Sequence, residues 1–246
     1  MHACKLCERK TGLKLCVMAD AERCDYKDFP AKKDSVVDMI RIATYIHQIP
    51  IALDMIADAH AKGYETTINL MAASTVPESE IEGALALLCD SPVEAVYVVD
   101  SFGSFYSEQV HYLVDKYLGF ARPRGKTIGM HAHNKQQLAY ANTIEAAIKG
   151  ANLLDSSMAG LGRGAGNCQT ELLIGFLHNP RYHLRPVLQC IQEHIEPLRK
   201  DLRWGFDIPY MITGLLNQHP RAAMAFQGGN DRGDLVKFFD SMVGPE

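Results

Sequence analysis

Two histidines separated by one residue are where this 246-residue chain most directly offers chemistry: His131 and His133, in Gly129-Met130-His131-Ala132-His133-Asn134. They close a strand-like run from Lys126 to His131. Successive strand side chains alternate faces, so the two imidazoles point the same way, with Ala132 behind them. Two imidazoles on one face at a strand's end are a ready pair of ligands for a divalent metal. A His-x-His pair also occurs as plain polarity at a loop edge. The elements around it must decide between the two readings.

Other reactive residue types offer less. The run Gly160-Leu161-Gly162-Arg163-Gly164-Ala165-Gly166-Asn167 is rich in glycine, but it lacks the lysine and the serine or threonine of a phosphate-binding loop. Cys168 follows it with no partnered His–Asp arrangement to activate a thiol. Cys4 and Cys7 form a Cys-x-x-Cys beside His2, yet no second pair at finger-like spacing follows. Free thiols near the terminus are the expectation there. His47, His60, His111 and His178 read as surface or packing residues. Asp20 and Asp100 end strands, where they either line a pocket or anchor loops.

The elements that must hold these residues alternate in kind. Short apolar, β-branched runs fall at Leu13-Ala19, Val37-Thr44, Thr66-Ala72, Ala95-Asp100, Thr127-His131 and Asn152-Ser156. Between them, amphipathic patterns predict helices at Pro50-Lys62, Glu78-Cys89, Ser107-Phe120 and Gln136-Lys149. Gly63, Pro92 and Gly150 punctuate three of their ends. Such alternation is the signature of parallel βαβ units. Helices are expected further on near Gln169-Leu177, Leu184-Arg199 and Pro209-Asn217, and Gly228-Gly229-Asn230-Asp231 reads as a loop.

The strand ends turn polar together: Asp20, Thr44, Ser74-Thr75, Asp100-Ser101, His131-His133-Asn134 and Asp155-Ser156-Ser157. In parallel α/β folds the carboxyl ends of strands gather at one face, and that face carries the chemistry. A closed barrel of this class takes eight βα units, whereas six are legible here. The expected sheet therefore stays open or is completed by strands from elsewhere.

Composition excludes several classes. Apolar residues make up 47% of the chain, enough for a large core, and the net charge is only -4 with no basic stripe. Nucleic acid is thus not an expected partner. No apolar run approaches a membrane span, and the first residues lack the apolar core of a secretory signal. Seven cysteines, an odd number scattered through apolar segments, fit free thiols in a reducing compartment, so a cytoplasmic location is expected.

Four linked segments resemble a known family: Tyr97-Val98-Val99-Asp100-Ser101, Gly129 to Asn134, Asp155-Ser156-Ser157-Met158-Ala159-Gly160-Leu161-Gly162, and Gly164-Ala165-Gly166-Asn167-Cys168-Gln169-Thr170-Glu171. In order and spacing they are similar to strands six to eight of the metal-dependent pyruvate-aldolase and acyl-transferase barrels. That group includes the hydroxymethylglutaryl-CoA lyases and isopropylmalate synthases, and the resemblance is nearest to its 4-hydroxy-2-oxovalerate aldolase branch. It runs from about Leu13 to about Phe226. The fold it implies is a TIM-type (β/α) barrel, N-terminally incomplete with about six βα units. Residues 1–178 would form the barrel part and residues 179–246 a C-terminal helical extension packed on it.

By resemblance, His131 and His133 are ligands of Mn²⁺ or Mg²⁺, and Asn167 of the glycine-rich loop is a further ligand. Ser101 lies at the substrate with Asp100 beside it, and Tyr210, in Asp207-Ile208-Pro209-Tyr210-Met211, reaches into the site as a catalytic group. The activity implied is cleavage of a 4-hydroxy-2-oxoacid to pyruvate and an aldehyde. The partners implied are a small 2-oxo acid, further copies of the chain in a homo-oligomer, and an aldehyde dehydrogenase. One departure weakens the expected activity. Family members open with an Asp-x-Thr-x-Arg-Asp-Gly strand, which supplies a metal-binding aspartate and an enolate-stabilising arginine. In the aldolases a histidine just afterwards is the base. This chain shows no such motif, and its first strand resembles the family's third. A catalytically inactive truncated homologue or partner-binding subunit, and an acyl-CoA-dependent condensing enzyme or lyase, are the alternative readings.

Overall fold

The computed structural model describes residues 12–229 and 232–244. The Cys4–Cys7–His2 cluster, together with Asn230 and Asp231 of the expected loop, lies outside the described residues. Six strands form one parallel α/β sheet in sequential order: β1 (Cys16–Asp20), β2 (Met39–Thr44), β3 (Glu65–Leu70), β4 (Ala95–Asp100), β5 (Thr127–Ala132) and β6 (Leu153–Leu154). Each of the six runs predicted as strands overlaps one of these. Sequential parallel order, with a helical connection between most neighbours, is the order of a (β/α) barrel.

The chain divides into two compact units. The described part of the first comprises residues 12–99, 113–129 and 150–153. It holds the bodies of the strands, with Cys16 opposite Met39, Arg41 opposite Thr67, and Asn69 opposite Tyr97. Every residue of β4 is buried. A strand covered on both faces has no polar alternation, which is why Ala95 to Val99 reads as a continuous apolar run. Helix α1 (Ile49–Ala61) begins with Pro50 in its first turn and buries Ile49, Ala52, Met55, Ile56 and Ala59, a single stripe at helical spacing. Helix α2 (Glu78–Asp90) buries Ile81, Ala84, Leu85, Leu88 and Cys89 in the same manner. Arg41 is partnered inside this unit. The Arg41 guanidinium lies 3.8 Å from the centroid of the Tyr97 ring, and its Nε donates to Asn69 Oδ1 at 2.7 Å.

The described part of the second unit comprises residues 100–112, 130–149, 154–229 and 232–244. It starts where β4 and β5 end and carries the turns that follow them. Helix α3 (Ser107–Ala121) begins in this unit and ends in the first. Helix α4 (Ala139–Lys149) starts three residues later than the sequence pattern predicts, because Asn134 Oδ1 accepts the Ala139 N–H at 3.1 Å and closes a turn first. Helix α5 (Thr170–Leu177) matches its prediction to within a residue.

The single helix predicted over Leu184-Arg199 is a composite. Helix α6 (Leu184–Cys190) passes into a π turn (Ile191–Ile195) and then a 3-10 turn (Glu196–Lys200). Pro197 lies in the first turn of that last segment and has no N–H to continue an α-helical ladder. Helix α7 (Ile208–Leu215) is followed by α8 (Arg221–Gly228) and α9 (Leu235–Val243), two short helices the sequence reading left out. Their apolar faces meet in a small core of Ala165, Tyr210, Ile212, Ala223 and Phe238, with Phe226 stacked on Phe238 at 4.5 Å. The five described cysteines, Cys16, Cys24, Cys89, Cys168 and Cys190, are thiols and not halves of a disulfide. No described helix is long and apolar enough to cross a membrane.

Candidate active site

The second unit brings His131, His133, Asp100 and Asn167 together. His131 sits within β5 and His133 one residue beyond its end, with ring centroids 4.9 Å apart and planes at 88°. Each ring is held through Nδ1. The Nδ1 of His131 is 2.8 Å from Asp155 Oδ2, and that of His133 is 2.9 Å from the Asp100 carbonyl oxygen. Both partners accept hydrogen bonds, so both Nδ1 atoms carry the proton and both Nε2 lone pairs remain for another use. Orientation by a carboxylate or carbonyl at the second nitrogen is the arrangement that metal-ligating histidines take. Burial, then the neighbouring His131, pushes the proton affinity of His133 down to about 4, so this ring is neutral near pH 7. A neutral ring is the form a cation binds.

Asn167 reaches the same place through its backbone, which bridges to His133, while its Nδ2 donates to the Leu161 carbonyl at 3.1 Å. That bond turns the amide nitrogen inward to the loop and leaves Oδ1 as the oxygen donor. Two Nε2 lone pairs and one amide oxygen fit a divalent cation that accepts nitrogen and oxygen ligands. Among the described residues, no three His, Cys, Asp or Glu side chains converge as a metal-holding group.

Asp100 is 1% exposed, and its carboxylate accepts the backbone N–H groups of Ser104 (2.9 Å) and Phe105 (3.3 Å). Its side chain therefore anchors the turn after β4 while its carbonyl holds His133. Burial pushes its carboxyl from 3.8 up to about 6, against the pull of those N–H donors and of Lys135. Ser101 follows in the same turn. Tyr210, 8% exposed, lies in the first turns of α7. Its proton affinity is raised, by burial first and by Asp207 next. The Cys168 thiol is pushed up to about 11 by burial, a packed thiol rather than a nucleophile.

Three polar residues here had no assigned part in the sequence reading. Asp155 appeared only as a polar strand end, although its place 24 residues beyond His131 brings the two together at the ends of successive strands. Lys135 is buried, donates from Nζ to the Gln218 carbonyl at 3.2 Å and lies 5.4 Å from the Phe102 ring centroid. Burial pulls its proton affinity down to about 8. Arg163 stands in the glycine-rich loop. Only the adjacency of Lys135 to the His-x-His pair, and the interruption of the glycine run by Arg163, marked these two in sequence.

Residues 39–194 match the family described as HMGL-like, well over half of the chain. The chain belongs to the HMGL-like family. Among curated relatives of this HMGL-like chain, an oxaloacetate decarboxylase of Mycobacterium tuberculosis is 34% identical over 151 residues, covering 61% of the chain and 44% of that protein. A 4-hydroxy-2-oxovalerate aldolase of Geobacillus genomosp. 3 is 33% identical over 151 residues, with the same shares. The chain thus matches somewhat under half the length of these relatives. Among solved structures, the N-terminal domain of a candidate aldolase from Bacteroides vulgatus superposes with a TM-score of 0.78 at 24% identity, covering 96% of this chain and 80% of that one. The hydroxymethylglutaryl-CoA lyase of Pseudomonas aeruginosa gives 0.65 at 16% identity, covering 78% and 72%. These likenesses establish the fold.

Proposed function

We propose that this HMGL-like chain acts in the cleavage of a 4-hydroxy-2-oxoacid to pyruvate and an aldehyde, with a divalent cation, Mn²⁺ or Mg²⁺, held by His131, His133 and Asn167. The observation that carries this reading is the pair of imidazoles fixed through Nδ1 by Asp155 and by the Asp100 carbonyl, with both Nε2 atoms left over. A cation there supplies Lewis acidity where negative charge develops on a carbonyl oxygen, a contribution of several kcal/mol. Asp155 and Asp100 keep the two imidazoles in the required tautomer and orientation. Tyr210 presents a phenol whose raised proton affinity keeps it a donor. Water takes the C4 hydroxyl proton as the C4–O bond becomes the aldehyde carbonyl; the C3–C4 bond breaks, its electron pair goes to C3 as the pyruvate enolate, and solvent returns a proton to C3 to give pyruvate.

The sequence likeness to an oxaloacetate decarboxylase favours a second reading of the same site. Oxaloacetate also breaks at C3–C4, releasing carbon dioxide in place of the aldehyde and leaving the same enolate. Both readings take a small 2-oxo acid. Assembly into a homo-oligomer, association with an aldehyde dehydrogenase and a cytoplasmic location belong to this proposal and not to the geometry.

The test is titration of Mn²⁺ into metal-stripped protein beside a His131→Ala/His133→Ala variant, followed by pyruvate release from 4-hydroxy-2-oxopentanoate and from oxaloacetate. Micromolar binding lost in the variant, with pyruvate formed from one of the two acids, is the expected result. A folded chain that binds no cation overturns the reading.

A further inference from the structure

Two loops at the strand ends grip the turn that follows α7. Lys135, two residues beyond His133, is 3% exposed, and its Nζ donates to the Gln218 carbonyl at 3.2 Å. Ser104, buried in the turn after β4, donates from Oγ to Asn217 Oδ1 at 2.8 Å. The Phe102 ring meets the His219 ring edge-on, with centroids 6.0 Å apart. Asn217, Gln218 and His219 are consecutive, so one short turn is fastened from two separate loops.

Helix α7 rests on the same two loops. A Cβ on Gly214, in its last turn, would stand 2.9 Å from Lys135 Cβ and 3.3 Å from the Gly103 carbonyl oxygen. Only a glycine lets the helix approach so closely. Hydrogen bonds then run back from the gripped turn to the tyrosine. The Gln218 N–H donates to the Thr213 carbonyl at 2.8 Å, and Thr213 Oγ1 donates to the Tyr210 carbonyl at 2.9 Å. The Tyr210 ring lies against Gly164 of the glycine-rich loop, where a Cβ would stand 2.7 Å from Cε1.

A buried ammonium is a costly way to fill this space. Methionine or leucine would pack against Phe102 and Gly214 without the free-energy cost of burying a charge. Among the described residues, the Gln218 carbonyl is the one hydrogen-bond acceptor of Lys135. The lysine therefore adds what an apolar side chain lacks, a directed bond that fixes the turn in register with the strand end.

We propose that Lys135 and Ser104 are positioning residues, which seat α7 on the strand ends and so fix Tyr210 in the candidate active site. The inference rests on the reading of Tyr210 as a group of that site.

The test follows Tyr210 directly. The full chain is made with 3-fluorotyrosine, and the Tyr210 and Tyr64 fluorine resonances are assigned by their loss in Tyr210→Phe and Tyr64→Phe. Lys135→Met keeps the bulk and removes the donor, and Ser104→Ala removes the hydroxyl. In both, the Tyr210 resonance is expected to shift or broaden, while that of Tyr64, buried in the first unit, stays in place. Ser104→Ala carries the measurement alone where Lys135→Met fails to fold. With pyruvate release as the second readout, misplacement of the phenol predicts a kcat lower by about tenfold or more, with KM little changed. A Tyr210 resonance that keeps its wild-type position in the folded variants overturns the inference. So does, in a wild type that releases pyruvate, a shifted resonance with kcat unchanged. A resonance that moves in a chain releasing no pyruvate keeps the seating of α7 and loses the lyase reading, so the two failures are distinct.

Discussion

The bodies of β4 and β5 and the segments that follow them are built from opposite chemistry. Within the strands, Val96, Val98, Ile128 and Met130 are fully buried among apolar neighbours. At the ends, Asp100 is as thoroughly buried, and although its carboxylate accepts the Ser104 and Phe105 N–H groups it stays a poor place for a negative charge. Burial of a side chain like valine contributes roughly 1.5–3 kcal/mol to folding. Burial of a carboxylate costs free energy unless every oxygen is partnered. The strand bodies therefore supply stability, and the strand ends draw on it to hold polar groups in fixed directions. Sites of this kind occupy the places where local rules of burial are broken.

The largest expected effect tests the body. Tyr97 crosses over Gly129, where a Cβ would lie 2.3 Å from the ring. Gly129→Val forces that ring out of place and should destabilise the fold by about 3 kcal/mol or more, read as a lower urea midpoint. A Gly129→Ala change in a Tyr97→Ala background should cost much less than in the wild type. Equal costs in the two backgrounds would show that the ring is not what the glycine accommodates.

A smaller effect tests the end. Asp100→Ala leaves the Ser104 and Phe105 N–H groups without acceptors and should cost about 2 kcal/mol. Its consequences should differ from those of an apolar truncation of similar size. Val98→Ala should lower the urea midpoint and leave Mn²⁺ affinity unchanged. Asp100→Ala should weaken Mn²⁺ binding as well, because the turn it anchors carries the carbonyl that orients His133. If both variants leave Mn²⁺ affinity alone, the strand end is structural and nothing more.

The same contrast explains what could be read from the sequence. Strand bodies and the helices between them announce themselves, since a covered parallel strand is a β-branched apolar run and its helix carries one apolar stripe. All six strands and the four helices α1 to α4 were legible for that reason. Boundaries slipped where a side chain intervened, as Asn134 does before α4. The C-terminal part was less legible. Helices of eight or nine residues, such as α8 and α9, are too short for periodicity to stand out, and the π and 3-10 turns after α6 look like continuing helix until Pro197 is considered. In the site, the histidines were visible because their spacing is informative by itself. Asp155 and Lys135 were not, because their importance lies in which residues they meet across the fold.

The most specific effect lies in pH. Burial raises Asp100 from 3.8 to about 6, so the native state holds that proton more tightly than the unfolded chain does. The associated stability is complete below about pH 4 and is lost as the pH rises through about 6. His133 runs the other way. Burial lowers it from 6.5 to about 4, so its neutral form is favoured by folding, and the associated stability is complete above pH 6.5 and is lost as the pH falls through about 4. Over pH 4 to 6.5 the two slopes oppose, and their contributions to the stability of the metal-free protein largely cancel. Asp100→Asn removes one of them. Its stability should therefore climb across that window by on the order of 2 kcal/mol where that of the wild type stays nearly level. His133→Gln should show the mirror-image decline. A variant whose urea midpoint tracks the wild type at every pH in the window would mean that the carboxyl and the imidazole do not titrate in opposition, and that the strand end is no more strained than the body.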